Sequence, residues 1–304
     1  MTQFLAILRW EVWYYLRRIS TWVYFAIFFA IAFFFMLAAG GAFDNIGVSL
    51  ASGGKVMANA PFALASLMPV LSLLGVSVTA ALAGNALYKD YEANAAPLFY
   101  TTPVSKPAFL GGRFGGTVVV NAIVMSGVPI GALVATLTPW VHADKIDSFH
   151  VMSYVQPFLG LVLPNLLLTA AIFFALVSLT RQMLPNYAGG AILLIGYLIA
   201  GSLFNDVENK RLAGLVDPFG LRAQSALTQY WSIAEKNSRL VPMTGTLLAN
   251  RLIWLGVATA IFVIATIRFR FSHALSDGAA RPIADGAGGV ERHCSVAQLT
   301  SAAV

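Results

Sequence analysis

Trp22-Val23-Tyr24-Phe25-Ala26-Ile27-Phe28-Phe29-Ala30-Ile31-Ala32-Phe33-Phe34-Phe35-Met36-Leu37-Ala38-Ala39 contains no charged residue and no helix breaker. A helix rising 1.5 Å per residue needs ~20 predominantly apolar residues to cross the hydrocarbon core of a bilayer. Read over roughly 22–43, this stretch meets that length. Five more stretches do the same, at roughly 61–87, 114–138, 153–180, 185–204 and 250–267. Arg9, Arg17 and Arg18 precede the first stretch and Ala38-Ala39-Gly40 ends it, as in a cleavable signal peptide. Its apolar core is nevertheless longer than the ~7–15 residues of a signal core, so a retained span is expected.

The composition agrees with this pattern. Hydrophobic residues make up 58% of the 304 and charged residues 11%, and mean hydropathy is +0.76, too apolar for an average globular domain. The fold class expected is an all-α integral membrane protein of about six transmembrane helices preceded by an N-terminal interfacial helix. Residues 1–21 form that helix, 22–272 the six-span domain, and 273–304, rich in Ala, Gly and Ser, a disordered tail. No internal repeat is evident.

Charges collect between the spans. Arg113, Arg181, Arg251 and Arg268 stand at the ends of apolar runs, where long side chains can reach headgroups, so no span is expected to carry an interior charge. The first 20 residues, the 88–113 connection and the turn at Arg181 hold most of the basic residues of the short connections. The positive-inside rule therefore makes that side, and both termini, cytoplasmic. The net charge of +6 lies beside apolar spans, as orienting and lipid-contacting charges do, so the lipid bilayer rather than nucleic acid is the expected partner.

A search for chemistry finds little. His142, His150, His273 and His293 show no HExxH spacing, Cys294 is the lone cysteine, and no GxxxxGK[ST] run is present. No catalytic, cofactor or metal residue is therefore proposed, and the chain is read as no enzyme. Asn121, Gln156 and Asn165 are the polar residues expected inside spans, as hydrogen-bond partners between helices ahead of substrate ligands. Gly112/Gly116 and Gly127/Gly131 permit close helix contacts, while Pro69, Pro129, Pro157 and Pro164 are expected to kink spans two to four, either as static bends or as hinges.

The most informative connection is Tyr88-Lys89-Asp90-Tyr91-Glu92-Ala93-Asn94-Ala95-Ala96-Pro97-Leu98-Phe99-Tyr100-Thr101-Thr102-Pro103-Val104-Ser105-Lys106. A short surface helix ending near Pro97, then an apolar patch and a turn, is expected to present charge and aromatic surface to a partner. An ordinary interfacial loop is the other reading.

On Glu92 and Thr102-Pro103-Val104-Ser105, on the six-span layout and on the larger loop before span six, the chain resembles the permease subunits of type-2 ABC transporters. Asp217-Pro218-Phe219-Gly220, Tyr230-Trp231, Glu235-Lys236-Asn237 and Asn250-Arg251-Leu252-Ile253-Trp254 look like a bacterial subgroup of these permeases. The Gly-Thr usual after the acidic residue is absent here, with Ala95-Ala96 nearby. The resemblance implies a subunit of an ATP-driven exporter in the bacterial inner membrane, powered by a separate ABC ATPase that binds ATP and Mg. It also implies a second copy or a homologous permease as partner, and an ATPase-coupling loop of Lys89, Asp90, Tyr91, Glu92, Pro97, Leu98, Phe99, Thr102, Pro103 and Val104. The different-class alternatives are a membrane anchor or assembly scaffold that transports nothing, and an ion-coupled secondary carrier.

Overall fold

The apolar runs become helices because hydrocarbon leaves no water to satisfy backbone N–H and C=O groups, and a helix satisfies them internally. The computed structural model describes residues 2–43, 56–92, 104–203 and 210–269, except for the side chains of Tyr91, Ser202, Leu203 and Lys210. The tail expected at 273–304 lies outside the described residues. Those residues contain helices and turns and no strand. They belong to a unit spanning Met1–Arg270.

A first helix, α1 (Thr2–Leu16), is followed after Arg17 and Arg18 by α2 (Ile19–Ala39). Then come α3 (Pro61–Glu92), α4 (Lys106–Met125), α5 (Gly127–Thr136), α6 (Val151–Pro157) and α7 (Leu163–Thr180). The chain continues through α8 (Leu184–Leu203), α9 (Lys210–Val216), α10 (Leu221–Thr228), α11 (Ile233–Ser238) and α12 (Gly245–Arg268). Taking α4 with α5 and α6 with α7 as continuous rods, six helices are long and apolar enough to cross a membrane. The chain is an all-α, multi-pass integral membrane protein.

Two rods are interrupted where the prolines fall. Between α4 and α5 the break lies at Ser126, three residues before Pro129, whose ring nitrogen cannot donate to the Met125 carbonyl. Pro157 ends α6, and Phe158–Val162 form a π turn that passes the chain to α7, with Pro164 in its first turn. Pro69 lies inside α3, which continues unbroken past it.

α3 is central, packing against α4, α6, α7 and α8. It is largely buried, as are the α4–α5 and α6–α7 rods, while α2, α8 and α12 turn most of their apolar surface outward. The main core gathers Phe28 and Met36 of α2, Leu64 and Met68 of α3, and Val124 and Val128 of α4 and α5. Glycines set the closest approaches. A Cβ on Gly127 would lie 2.7 Å from the Phe25 carbonyl oxygen, and one on Gly116 would lie 2.6 Å from Glu11 Cβ. The expected close contacts therefore form within the chain, α2 against α5 and α1 against α4.

Two of the polar residues expected inside spans link helices, and the third, Gln156, ties α6 to the connection before α12. Asn121 Nδ2 donates to Thr79 Oγ1 at 2.7 Å, Asn165 Nδ2 to Ser72 Oγ at 2.9 Å, and Gln156 to the Val241 carbonyl. The placement of the arginines differs from expectation. Arg113 and Arg251 do not extend toward headgroups: their residues are 1% and 4% exposed, each inside a helix.

Candidate functional site

Arg113 is drawn inward by two carboxylates that sequence spacing does not bring together. From α4, its Nη1 donates to Glu11 Oε2 at 2.7 Å, and its Nη2 donates to both Asp90 oxygens at 2.8 and 2.7 Å. Lys89 Nζ donates to the other Glu11 oxygen at 2.5 Å. Two cations and two carboxylates from α1, α3 and α4 thus form a neutral, buried node. Its attraction is strong because water, with its high dielectric constant, is excluded, and each charge depends on its partners for the same reason.

Aromatic rings close the node on the α1 side. Lys89 Nζ stands 4.9 Å from the Trp10 ring centroid, 4.2 Å from that of Tyr14 and 5.0 Å from that of Tyr15. The Arg113 guanidinium stands 4.8 Å from the Trp10 centroid and 5.4 Å from that of Phe109. These distances are those of cation–π contacts, which strengthen when desolvated. Tyr15 donates its hydroxyl proton to the Leu82 carbonyl at 3.0 Å. Burial, and then the Glu11 carboxylate, hold its phenol well above the ordinary tyrosine range.

The expected coupling loop is thereby divided. Tyr88–Glu92 are the last turn and a half of α3 and not a separate surface helix, because the helix runs unbroken from Pro61. Lys89 and Asp90 face into the protein, with the Asp90 residue only 8% exposed, and so do not present charge to a partner. Tyr91 lies on α3, and Glu92 is exposed at its end. Val104 is half-buried beside the cluster of Phe109, Leu110 and Phe174. Pro97, Leu98, Phe99, Thr102 and Pro103 lie outside the described residues.

Sequence reading missed Glu11 and Arg113 as partners. A signal was present: Glu11 is the only acidic residue ahead of Asp44, and it is flanked by Trp10 and Trp13. Arg113 adjoins Gly112, whose bareness lets Ile7 and the Phe4 carbonyl approach.

A second buried cation stands elsewhere in the bundle. Arg251 of α12 donates from Nη1 to Asn165 Oδ1 at 2.8 Å, and from Nε and Nη2 to Asn250 Oδ1 at 2.9 and 2.6 Å. Asn250 Nδ2 in turn donates to the Gly214 and Asp217 carbonyls, each at 2.7 Å. Gly220, at φ +71°, lies against the guanidinium, where any side chain would collide and where an L residue would be strained. The Asp217-Pro218-Phe219-Gly220 turn is therefore a fitted wall around Arg251. Tyr230 is exposed just beyond α10, while Trp231 packs beside Val241 with Arg239 over its ring at 5.4 Å.

Among the described residues, no group of three or more His, Cys, Asp or Glu side chains could hold a metal ion. Compared with known protein families and with curated proteins, the sequence matches none.

Proposed function

We propose that this chain is the membrane-spanning subunit of an ATP-driven transporter of the ABC-2 type, an exporter half whose energy comes from a separate ATPase. One observation carries the reading. The connection 88–106, expected to meet that ATPase, begins on α3 within a charge node that ties α3 to α1 and α4. A push on that segment would pass into three helices at once, because a buried ion pair is costly to break and transmits displacement between rigid elements. Six spans and a packed N-terminal helix suit the same reading. In it, the α1 end of the bundle is cytoplasmic, both termini lie there, and the membrane is the bacterial inner membrane. ATP and Mg sit in the partner, and a second copy or a homologue completes the pathway.

Purifying the tagged full-length chain from its native host in mild detergent, with mass spectrometry of what accompanies it and an ATPase assay, tests the reading. A stoichiometric P-loop ATPase is the expected result. Repeated recovery without one, under conditions that preserve a known complex, would sink it.

The buried guanidinium of Arg251 favours a second reading, an ion-coupled carrier, since ionisable groups at membrane depth commonly serve ion or substrate pathways. Transport that survives ATP depletion and follows a clamped ion gradient would select it. An ATPase-free complex that moves nothing would leave the scaffold.

A further inference from the structure

The chain turns from α1 into α2 at Arg17 and Arg18, and this corner lies at headgroup depth. The first span begins at Ile19, and Trp22, in its first turn, donates Nε1 to the Leu16 carbonyl at 2.9 Å while its ring stays exposed. A tryptophan with one polar bond and an exposed ring belongs to the membrane interface. Thr21 Oγ1 donates to the Tyr15 carbonyl at 2.8 Å, so side chains of α2 satisfy the last turn of α1 and fix the corner.

Both arginines are laid on aromatic rings of α1. The Arg17 guanidinium stands 4.7 Å from the Trp13 ring centroid, and that of Arg18 stands 4.4 Å from the Tyr14 centroid and donates to the Tyr14 hydroxyl. A guanidinium stacked in this way engages its face and keeps the N–H donors of its edge for another group. Both arginines are exposed, and neither pairs with a carboxylate among the described residues.

The positive charge here is therefore uncompensated. Glu11, the single acidic residue of 1–43, is buried and already holds Lys89 and Arg113. Glu92, the remaining described carboxylate at the α1 end, pairs with neither arginine. The next acidic residue in the chain after Glu11, Asp44, follows the far end of α2, ~30 Å along the helix. Residues 93–103, outside the described ones, contain no acidic residue. Beyond the corner the surface becomes apolar at once: Ile19, 81% exposed, starts a row of exposed side chains continued at intervals of four by Val23, Ile27 and Ile31. Paired guanidinium edges above a hydrocarbon stripe on a spanning helix match a lipid better than an acidic protein surface.

We propose that the α1–α2 corner is a binding site for the headgroup phosphate of one anionic phospholipid, held on the edges of Arg17 and Arg18 with an acyl chain along Ile19 and Val23. The proposal does not rest on the transporter reading. It holds equally for a carrier or a scaffold, because it uses only the membrane setting and the geometry of α1 and α2.

The test titrates the full-length protein, purified in an uncharged detergent, with phosphatidylglycerol or phosphatidylcholine of identical chains and counts bound lipid by native mass spectrometry. One phosphatidylglycerol per chain is expected to bind roughly tenfold or more tightly than phosphatidylcholine, as two uncompensated arginines near a membrane surface imply. Arg17→Gln is expected to weaken that lipid roughly tenfold, the loss of a charge-assisted hydrogen bond. Arg9→Gln removes the same charge from an exposed arginine of α1 that no ring carries, and should leave binding within about twofold. Trp13→Leu keeps every charge and removes the ring beneath Arg17, and should weaken the lipid by about threefold or more. Should Arg17→Gln insert wrongly, Arg17→Lys with Arg18→Lys keeps the orienting charge and is still expected to weaken the lipid, because an ammonium lacks the planar fork. Equal losses from Arg9→Gln and Arg17→Gln, with none from Trp13→Leu, would mean diffuse attraction and overturn the site. Phosphatidylcholine bound as tightly would overturn the anionic headgroup, and displacement by glycerol phosphate at comparable concentration would assign the corner to a soluble phosphate. Lipid binding unchanged in every arginine variant would leave the corner to a protein partner and overturn the proposal.

Discussion

Arg113 and Glu11, 102 residues apart in the chain, meet at 2.7 Å with side chains 1% and 0% exposed. Neither charge is tolerable there alone. Asp90 and Lys89 complete the neutral set, and all four lie where α3 passes into the segment assigned to a partner. The node therefore fixes α1 on the bundle and ties the last turns of α3 to α1 and α4.

Breaking one member is expected to strand the others. Arg113→Ala leaves Glu11 and Asp90 with only Lys89 between them, and Glu11→Ala leaves two cations against one carboxylate; removing one partner of a buried pair costs ~3–5 kcal/mol. Each single variant should lose that much in thermal or denaturant unfolding in detergent. The double variant should cost less than the two added, by ~0.5–3 kcal/mol, as residues in direct contact do. Additive losses would show that the two side chains do not share one interaction. For the same reason, charge reversal at Lys89 or Asp90 should impair folding as well as partner binding, whereas reversal at exposed Glu92 should affect only the partner.

The glycine contacts give a packing test. Gly127→Leu must push α5 off the Phe25 carbonyl and Gly116→Leu must push α4 off Glu11, and overpacking costs ~1–3 kcal/mol or more where backbone blocks relaxation. Gly256→Leu, on α12 with no atom within 4 Å of its Cβ position, should be neutral or slightly stabilising. Equal effects at all three, measured by unfolding midpoints, would contradict the helix pairings described.

The span pattern was legible because hydrocarbon length and backbone satisfaction leave a long apolar run few alternatives. Gly112/Gly116 and Gly127/Gly131 also announced close helix contacts, and Asn121 and Asn165 announced bonds between helices. The direction taken by Arg113 and Arg251 was not legible. An arginine at the end of an apolar run can reach outward to headgroups or inward to a partner, and the choice depends on whether a carboxylate or amide from a distant helix arrives. Glu11 comes from a segment whose charges are spread around the helical wheel, so its inward face emerges only once α4 is in place. Arg251 is held by Asn165, 86 residues away, and by Asn250 beside it, neutral amides that charge pairing does not reveal.

Arg251→Met should separate charge from packing. The substitution removes the donors that satisfy Asn165 Oδ1 and Asn250 Oδ1, and a buried acceptor left unmade costs ~1–3 kcal/mol. Adding Asn165→Leu should not restore stability, because Asn250 Oδ1 stays unmade and Ser72 Oγ loses the donor from Asn165, keeping only its own bond to the Pro69 carbonyl. Unfolding midpoints of the single and double variants check this, and recovery in the double variant would deny Asn165 its bridging place.

Tyr15 gives a pH dependence whose sign follows from burial. Burial and the Glu11 carboxylate hold its phenol well above the ordinary tyrosine value of about 10 in the folded chain, so above that value the unfolded state loses a proton that the folded state keeps. The stability tied to this group is complete below about pH 10 and falls as pH rises through the folded value. Tyr15→Phe also loses the bond to Leu82 O, about 1 kcal/mol at neutral pH. Its stability should then decline less steeply than wild type between neutral and strongly alkaline pH. Parallel curves would place the Tyr15 hydroxyl in contact with water.

Orientation in the membrane is the expectation with the widest consequence, since the partner can reach Glu92 only if the α1 end is cytoplasmic. Glu92 ends α3 at the node, and Ala143 lies in the connection between the third and fourth spans, at the other end of the bundle. Both positions are exposed. With Cys294 replaced by Ser, a single cysteine at Ala143 should react with an impermeant maleimide added to sealed cells, and one at Glu92 should react only after permeabilisation. The reverse pattern would put the node, and the segment that follows it, on the outer face, where no ATP is available to an ATPase. It would remove the transporter reading while leaving the fold and the node as described.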